Sequence, residues 1–477
     1  MPRILMVASE AAPFAKTGGL ADVMGSLPAA LARLGDEVAV LLPRYRNISA
    51  PMDRIYENLP VRVGPRYFSV GIDQIVRQGV RYLFADCPPL YDRAGIYNEA
   101  GVDYPDNHIR FAALCQAAIE VARRIFRPDV FHAHDWQAGL LPVLLRENFA
   151  GDPTFFGSRS MLTIHNLGYQ GNFPASALAD LDLTPSLFHM EGLEFFGGLS
   201  FLKAGIVWAD AVTTVSPTYA REIQTPEFGF GLDGLLRSRA GKLSGILNGV
   251  DYQEWNPETD RYLTANYSAR DLSGKRAAKL ALLREMGLAL DADRPLLGIV
   301  SRFAHQKGMD LVAEAFAELR TEDFAMATLG SGDAPLEAAF QAMAAAQPDR
   351  FAIRIGYDDR LAHRIEAGSD IFLMPSRYEP CGLNQIYSLR YGTVPLVHAT
   401  GGLDDTVEKE TGFKFTVLSA ANLAAAIREA LAAFADRKAW TARMRLGMAK
   451  DFSWEASAAQ YQTLYRNGGT ASAQAGI

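Results

Sequence analysis

The chain is poor in cysteine. Its 477 residues include three, Cys87, Cys115 and Cys381, an odd number without metal-like or redox-like spacing. That argues against a disulfide framework and fits a reducing compartment. Long apolar runs are missing too, since no segment reaches the ~18 apolar residues of a membrane helix. The apolar start Ile4-Leu5-Met6-Val7 is too short for a signal-peptide core, and Glu10 interrupts the stretch. No long basic run occurs, and 47 Lys and Arg against 54 Asp and Glu give a net charge of −7. That leaves no nucleic-acid footprint. The expectation is a cytoplasmic protein with neither membrane nor nucleic acid as partner. Two nucleotide motifs are absent as well. No Gly-x-Gly-x-x-Gly comes after the first strand, which counts against a dinucleotide oxidoreductase. Gly274-Lys275 lacks the upstream glycine of a Walker loop.

What is present is a long globular chain, 49% hydrophobic and 21% charged, long enough for two or three domains. The pattern is strand, loop, helix, repeated. Strands are predicted at Ile4–Val7, Glu37–Leu42, Asp129–His134, Ser160–Ile164 and Ala211–Val215, with a helix from Trp136 to about Glu147. The second half is cleaner. Its strands are Pro295–Ser301, Phe324–Leu329, Phe351–Gly356, Ile371–Met374 and Pro395–His398, alternating with helices at Met309–Leu319, Pro335–Ala345, Asp359–Glu366 and Leu383–Tyr391. Continuous apolar strands alternating with helices predict parallel sheets covered on both faces. The fold class is therefore α/β, with two doubly wound domains that bind ligands beyond the carboxyl ends of their strands. The join falls near Leu243 to Asp251, residues from about Tyr252 to Asp293 wrap the second domain, and the tail from Gly468 is expected to fray.

Nearly the same six residues occur twice, as Thr17-Gly18-Gly19-Leu20-Ala21-Asp22 and Thr400-Gly401-Gly402-Leu403-Asp404-Asp405. Each copy comes after an apolar run. The first opens a helical pattern with Val23, Leu27, Leu31 and Leu34 on one face. Paired glycines let backbone approach a ligand, and the N–H groups of a helix start favour anions. Two such loops suggest a phosphate compound held by two similar halves; two unrelated glycine turns are the alternative.

Arg302 and Lys307 come just after the first strand of the second half, where an Arg fork and a Lys point charge suit a diphosphate. Ordinary surface ion pairs are their bland reading. Glu379 lies in a Pro/Gly-bracketed turn before a helix, placed to accept sugar hydroxyls or to stabilise positive charge on a reacting carbon. It could equally be a first-turn Glu favoured by the helix dipole. Gly382, Leu383 and Asn384 there offer backbone N–H groups to a phosphate. His132 and His134 point to one side of a strand end but lack a third metal ligand, so Asp135 is the better candidate for a hydroxylated substrate. His165, ending the next strand, could bond a sugar hydroxyl as a neutral imidazole or be a packed core histidine. Asp180-Leu181-Asp182 looks like a metal-binding acidic motif but sits in polar loop material.

Five motifs occur in order: Lys16 to Val23, His132-Ala133-His134-Asp135-Trp136, Asn248-Gly249-Val250-Asp251, Arg302 to Gly308, and Glu379-Pro380-Cys381-Gly382-Leu383. Together they closely resemble the bacterial glycogen synthases and the related plant starch synthases, from the N-terminus to about residue 465. The resemblance implies a GT-B type glycosyltransferase, with two Rossmann-like domains facing a central cleft. On that basis domains are expected at 1–245 and 246–456, with a helix in 457–477 crossing back to the first domain. It also implies retaining transfer of glucose from ADP-glucose to the non-reducing end of an α-1,4-glucan such as glycogen, without metal or cofactor.

Carried over by resemblance, Lys16, Gly18 and Gly19 lie beside the donor's phosphates or glucose. Asp135, His165 and Asn248 hold the reacting sugar, Arg302 and Lys307 bind the diphosphate, Glu379 binds glucose, and Tyr357 stacks on adenine. No general base is assigned, because the family's departing phosphate can take the acceptor's proton. Two residues depart from the pattern. Gln137 stands where close relatives commonly have histidine. Tyr387 stands eight positions after Glu379, where many retaining relatives place a second Glu; the synthase branch shares this feature. A UDP-sugar glucosyltransferase and a silent glucan-binding protein remain as rivals.

Overall fold

The computed structural model describes residues 1–467, and the tail expected to fray lies outside them. The described chain divides into two units. One comprises Met1–Val215, Ala220–Gly249 and the segment from Trp454; the other comprises Ser216–Tyr219 and Val250–Ser453.

The first unit is built on a nine-stranded sheet: β1 (Arg3–Val7), β2 (Glu37–Pro43), β3 (Asp53–Val63), β4 (Arg66–Arg77), β5 (Val80–Asp86), β6 (Val130–His134), β7 (Arg159–Ile164), β8 (Ala211–Thr214) and β9 (Leu243–Gly245). Their spatial order is β9-β8-β7-β6-β1-β2-β5-β4-β3. All neighbours are parallel except β4, which runs antiparallel to both β3 and β5. The chain moves from β1 to β2 on one side and later fills β6 on the other, so the topological switch lies between β1 and β6. Ile4 to Val7 are fully buried, as expected of a strand covered on both faces.

The helix expected from Trp136 to Glu147 is broken into a 3₁₀ turn (Trp136–Ala138), an α turn (Leu140–Val143) and a π turn (Leu144–Asn148). Pro142 has no N–H to give, so a regular ladder cannot run through it. The late helix Trp454–Arg466 belongs to this first unit, with Arg33 bonding Glu455 and Gln462 bonding Asp36.

The second unit carries six parallel strands: β10 (Leu296–Val300), β11 (Ala325–Gly330), β12 (Phe351–Ile355), β13 (Ile371–Met374), β14 (Val394–His398) and β15 (Phe413–Phe415). Their order, β12-β11-β10-β13-β14-β15, puts its switch between β10 and β13. One face is filled by Phe316, Phe324, Phe340 and Phe351, the other by Leu282, Leu283, Leu361 and Ile365. The segment expected to wrap this unit contains the helix Ser273–Met286, which packs against the helix Asp359–Gly368.

Candidate functional sites of the two units

In the first unit, Lys16, Gly18 and Gly19 lie beyond β1, and Asp135 lies beyond β6, on either side of the switch. The Thr17-Gly18 turn is organised by Glu10, a buried carboxylate that accepts hydrogen bonds from Thr17 N–H, from Thr17 Oγ1 at 2.7 Å, from Gly18 N–H at 3.2 Å and from Tyr97 Oη. Lys16 Nζ lies 2.6 Å from Asp22 in the first turn of the helix Gly19–Arg33. A Cβ on Gly18 or Gly19 would meet nothing within 4 Å, so the protein's own packing leaves this surface open.

Asp135 has φ +55, a conformation that costs about 1–3 kcal/mol and clusters at functional sites. Its Oδ1 accepts the His165 N–H at 2.7 Å. Burial raises its carboxyl to about 7, against the lowering pull of the His165 and Asn166 N–H groups. His165 Nε2 lies 3.0 Å from His134 Nδ1, and burial lowers the His165 pKa to about 3, so the imidazole is neutral. His132, beneath His134, is committed to packing: Nδ1 bonds Tyr465 Oη at 2.8 Å and Nε2 bonds Thr163 Oγ1 at 2.6 Å. Asn248 is buried, and its Oδ1 has no partner among the described residues. Gln137 is buried as well. Asp180 and Asp182 are spent on Arg66, His108 and Arg62.

In the second unit, Lys307 and Glu379 meet across the β10/β13 switch. Lys307 Nζ lies 2.5 Å from Glu379 Oε2, and their side chains are 18% and 9% exposed. Ser376 Oγ donates to the same oxygen at 3.0 Å. The two loops are stapled together. Arg377 bonds Asp310 through two N–H groups at 2.7 and 2.6 Å, and the His305 carbonyl at 2.6 Å. Gly308, at φ +68, permits this approach, because a Cβ there would meet the Pro375 carbonyl at 2.1 Å. Arg302 is exposed, and its guanidinium lies 3.5 Å from Gln306 Oε1. Asn384 opens the short helix Asn384–Arg390 behind Gly382 and Leu383, and its amide is spent on the Val300 carbonyl at 2.8 Å. Tyr357, just beyond β12, is 84% exposed.

The two Thr-Gly-Gly copies do different work, contrary to the expectation of two ligand loops. A Cβ on Gly401 would meet the Glu379 carbonyl at 2.0 Å, and one on Gly402 the Cys381 carbonyl at 2.1 Å. Gly402 N–H already donates to the Glu379 carbonyl at 3.1 Å. The second copy therefore supports the Glu379 turn from behind. Tyr387 is buried, stacked on Trp255 with ring centroids 3.8 Å apart. Sequence reasoning missed Glu10, Ser376 and the Arg377–Asp310 pair. Only Glu10, a lone acid in an apolar strand end, left a readable trace.

Residues 3–238 match the family model of the starch synthase catalytic domain, and residues 286–446 that of glycosyl transferases group 1. The chain is 50% identical over 481 residues to the glycogen synthase of Koribacter versatilis, covering 97% of each. It is 51% identical over 473 residues to that of Anaeromyxobacter dehalogenans, covering 97% of this chain and 98% of the relative. The solved catalytic domain of starch synthase IV from Arabidopsis thaliana, bound to ADP and acarbose, superposes with a TM-score of 0.90 at 31% identity, covering 98% of this chain and 100% of that one. Sucrose-phosphate synthase from Thermosynechococcus elongatus, at 19% identity and a TM-score of 0.62, shares the fold alone. With these likenesses running through both units, the chain belongs to the glycogen synthase family of glucosyltransferases, on the GT-B type fold of the starch synthases.

Proposed function

We propose that the chain transfers glucose from ADP-glucose to the non-reducing end of an α-1,4-glucan with retention of configuration and without a catalytic metal. The observation that carries this reading is the Lys307–Glu379 contact at the switch point of the second unit, a cation and a carboxylate 2.5 Å apart where a nucleotide sugar would bind. The starch synthase relative was solved with ADP and acarbose, which supports the same substrate classes.

In the reaction, the bond from the anomeric carbon to the ADP oxygen breaks and its electron pair leaves with ADP. A bond to the acceptor hydroxyl forms on the same face, and that hydroxyl's proton passes to the departing phosphate. Lys307 and Arg302 neutralise charge growing on the diphosphate. Glu379 binds the glucose and steadies positive charge at the reacting carbon. Neutral His165, Asp135 and Asn248 Oδ1, which has no partner among the described residues, offer hydrogen bonds to sugar hydroxyls. Lys16, with the open Gly18-Gly19 surface, serves the donor's phosphates or glucose, and the exposed Tyr357 ring stacks on adenine. Cys87, Cys115 and Cys381 are buried and form no disulfide among the described residues, which suits a cytoplasmic setting. Among the described residues no helix is long and apolar enough to cross a membrane.

The test traces labelled glucose from ADP-glucose or UDP-glucose into glycogen with a chelator present. Transfer from ADP-glucose is expected. Transfer from UDP-glucose alone would replace the donor, and transfer from neither would overturn the reading.

A further inference from the structure

We propose that the second unit holds a divalent cation of the zinc type at Glu254, Asp359 and His363, a site separate from the residues assigned to glucosyl transfer. One ring nitrogen of His363 and one carboxylate oxygen each of Glu254 and Asp359 lie within 4.8 Å of one another. Asp359 and His363 stand four residues apart on the helix Asp359–Gly368, so their side chains share one face. Glu254 reaches the cluster from the turn that begins at Asp251.

The histidine supplies the independent evidence. His363 is 1% exposed. Its Nδ1 lies 2.8 Å from Asp260 Oδ2, an oxygen that also accepts Tyr391 Oη at 2.6 Å. In the neutral ring this places the proton on Nδ1 and a bare lone pair on Nε2. That Nε2 is fully buried and has no hydrogen-bond partner among the described residues. Trp255 cannot satisfy it, because the indole stacks on the ring face at 3.8 Å, whereas the lone pair lies in the ring plane. A buried acceptor left bare is costly. A metal ion is the partner that such a lone pair best accommodates, and a carboxylate on the far nitrogen is the usual outer support of a metal-binding histidine.

Charge and access agree. Glu254 and Asp359 both act electrostatically on the exposed Arg261, as two carboxylates that give the cluster negative charge. Exposure falls from Glu254 through Asp359 to His363, which leaves an entry path. One imidazole with two carboxylates selects a zinc-type ion over calcium or magnesium, which favour all-oxygen sets. Donors about 2.0–2.2 Å from such an ion stand roughly 3–4 Å apart, so small rotations of the two acids complete the site. The bound ion would brace the turn at Glu254 against the helix just beyond Tyr357.

The experiment titrates the full-length protein with Zn²⁺ by calorimetry and with Co²⁺ by visible absorption. Glu254→Gln and Asp359→Asn are run alongside, and each variant's thermal melt in chelator serves as the folding control. The wild type should bind one ion, with Co²⁺ bands of nitrogen and oxygen ligation and a raised melting temperature. Each variant should bind about tenfold or more weakly while melting like the parent in chelator. Equal binding by parent and variants would overturn the proposal, as would no saturable binding by the parent or a Co²⁺–thiolate band assigning the metal to a cysteine.

Discussion

Replacing Asp135 with asparagine should stabilise the protein while disabling it. Burial lifts the native carboxyl from its ordinary 3.8 to about 7. At 1.36 kcal/mol per pH interval, that displacement is worth about 4 kcal/mol, or about 2–4 kcal/mol once partial solvent access is allowed for. Because the folded-state pKa is raised, the native protein holds a proton that the unfolded chain releases between pH 3.8 and about 7. The carboxyl's contribution is thus fully present below pH 3.8 and is lost as pH rises through about 7. Asp135→Asn keeps an oxygen for the His165 N–H, 2.7 Å away in the parent, and, being isosteric with aspartate, adds no bulk at the positive φ. It carries no charge to bury.

The unfolding free energy of the variant minus that of the parent, from urea titrations at several pH values, should therefore climb by about 2–4 kcal/mol between pH 4 and 8. His132, His134 and His165, all held neutral by burial, tilt stability the other way. They are present in both proteins and cancel in the difference. Glucosyl transfer should fall despite the gain. A flat difference across this range would show that Asp135 is not held protonated by its surroundings, and the argument for its place in the site would lose its electrostatic support.

Glu379→Gln should raise the reaction barrier by about 2–4 kcal/mol with little change in nucleotide affinity; steady-state kinetics showing near-normal turnover would remove Glu379 from the mechanism. Lys307→Ala should weaken donor binding and turnover together and lower the melting temperature, because it leaves the Glu379 carboxylate buried without its cation. Unchanged donor affinity would count against the diphosphate assignment. Gly19→Ala should melt like the parent and impair donor use, whereas Gly401→Ala, at φ +46 and against the Glu379 carbonyl, should lose about 1–3 kcal/mol or more of stability. Matching melts for these two alanine variants would refute their separate roles. Tyr357→Ala should change stability by no more than about 0.5 kcal/mol and weaken ADP binding by roughly tenfold, within the range of base–aromatic stacking, as read by calorimetry.

Legibility tracked the physics of each signal. The parallel strands could be read because burial on both faces leaves unbroken apolar runs, as in Ile4–Val7 and Ile371–Met374. β3 and β4 escaped notice because they alternate, with polar residues such as Arg54, Glu57 and Ser69 on their open faces. The motif residues Lys307 and Glu379 were found because each lies just past a strand end, although their direct contact is set by Gly308 and the Pro375 carbonyl, a tertiary approach that spacing does not encode. Two identical Thr-Gly-Gly strings could not be told apart, since one set of glycines faces open space and the other a packed backbone. Glu10 looked like an interruption of an apolar run, because its four donors come from Thr17, Gly18 and Tyr97.

The helix Trp454–Arg466 has a consequence for the order in which the molecule can be built. Tyr465 closes the hydrogen bond on His132, and Gln462 bonds Asp36, so groups buried in the first unit depend on residues synthesised after the whole second unit. The second unit, ending at Ser453, has its full complement of strands before that helix is synthesised. The half encoded first is therefore finished second. Until that helix is made, the nascent chain carries a sheet whose row of histidines still lacks its tyrosine partner.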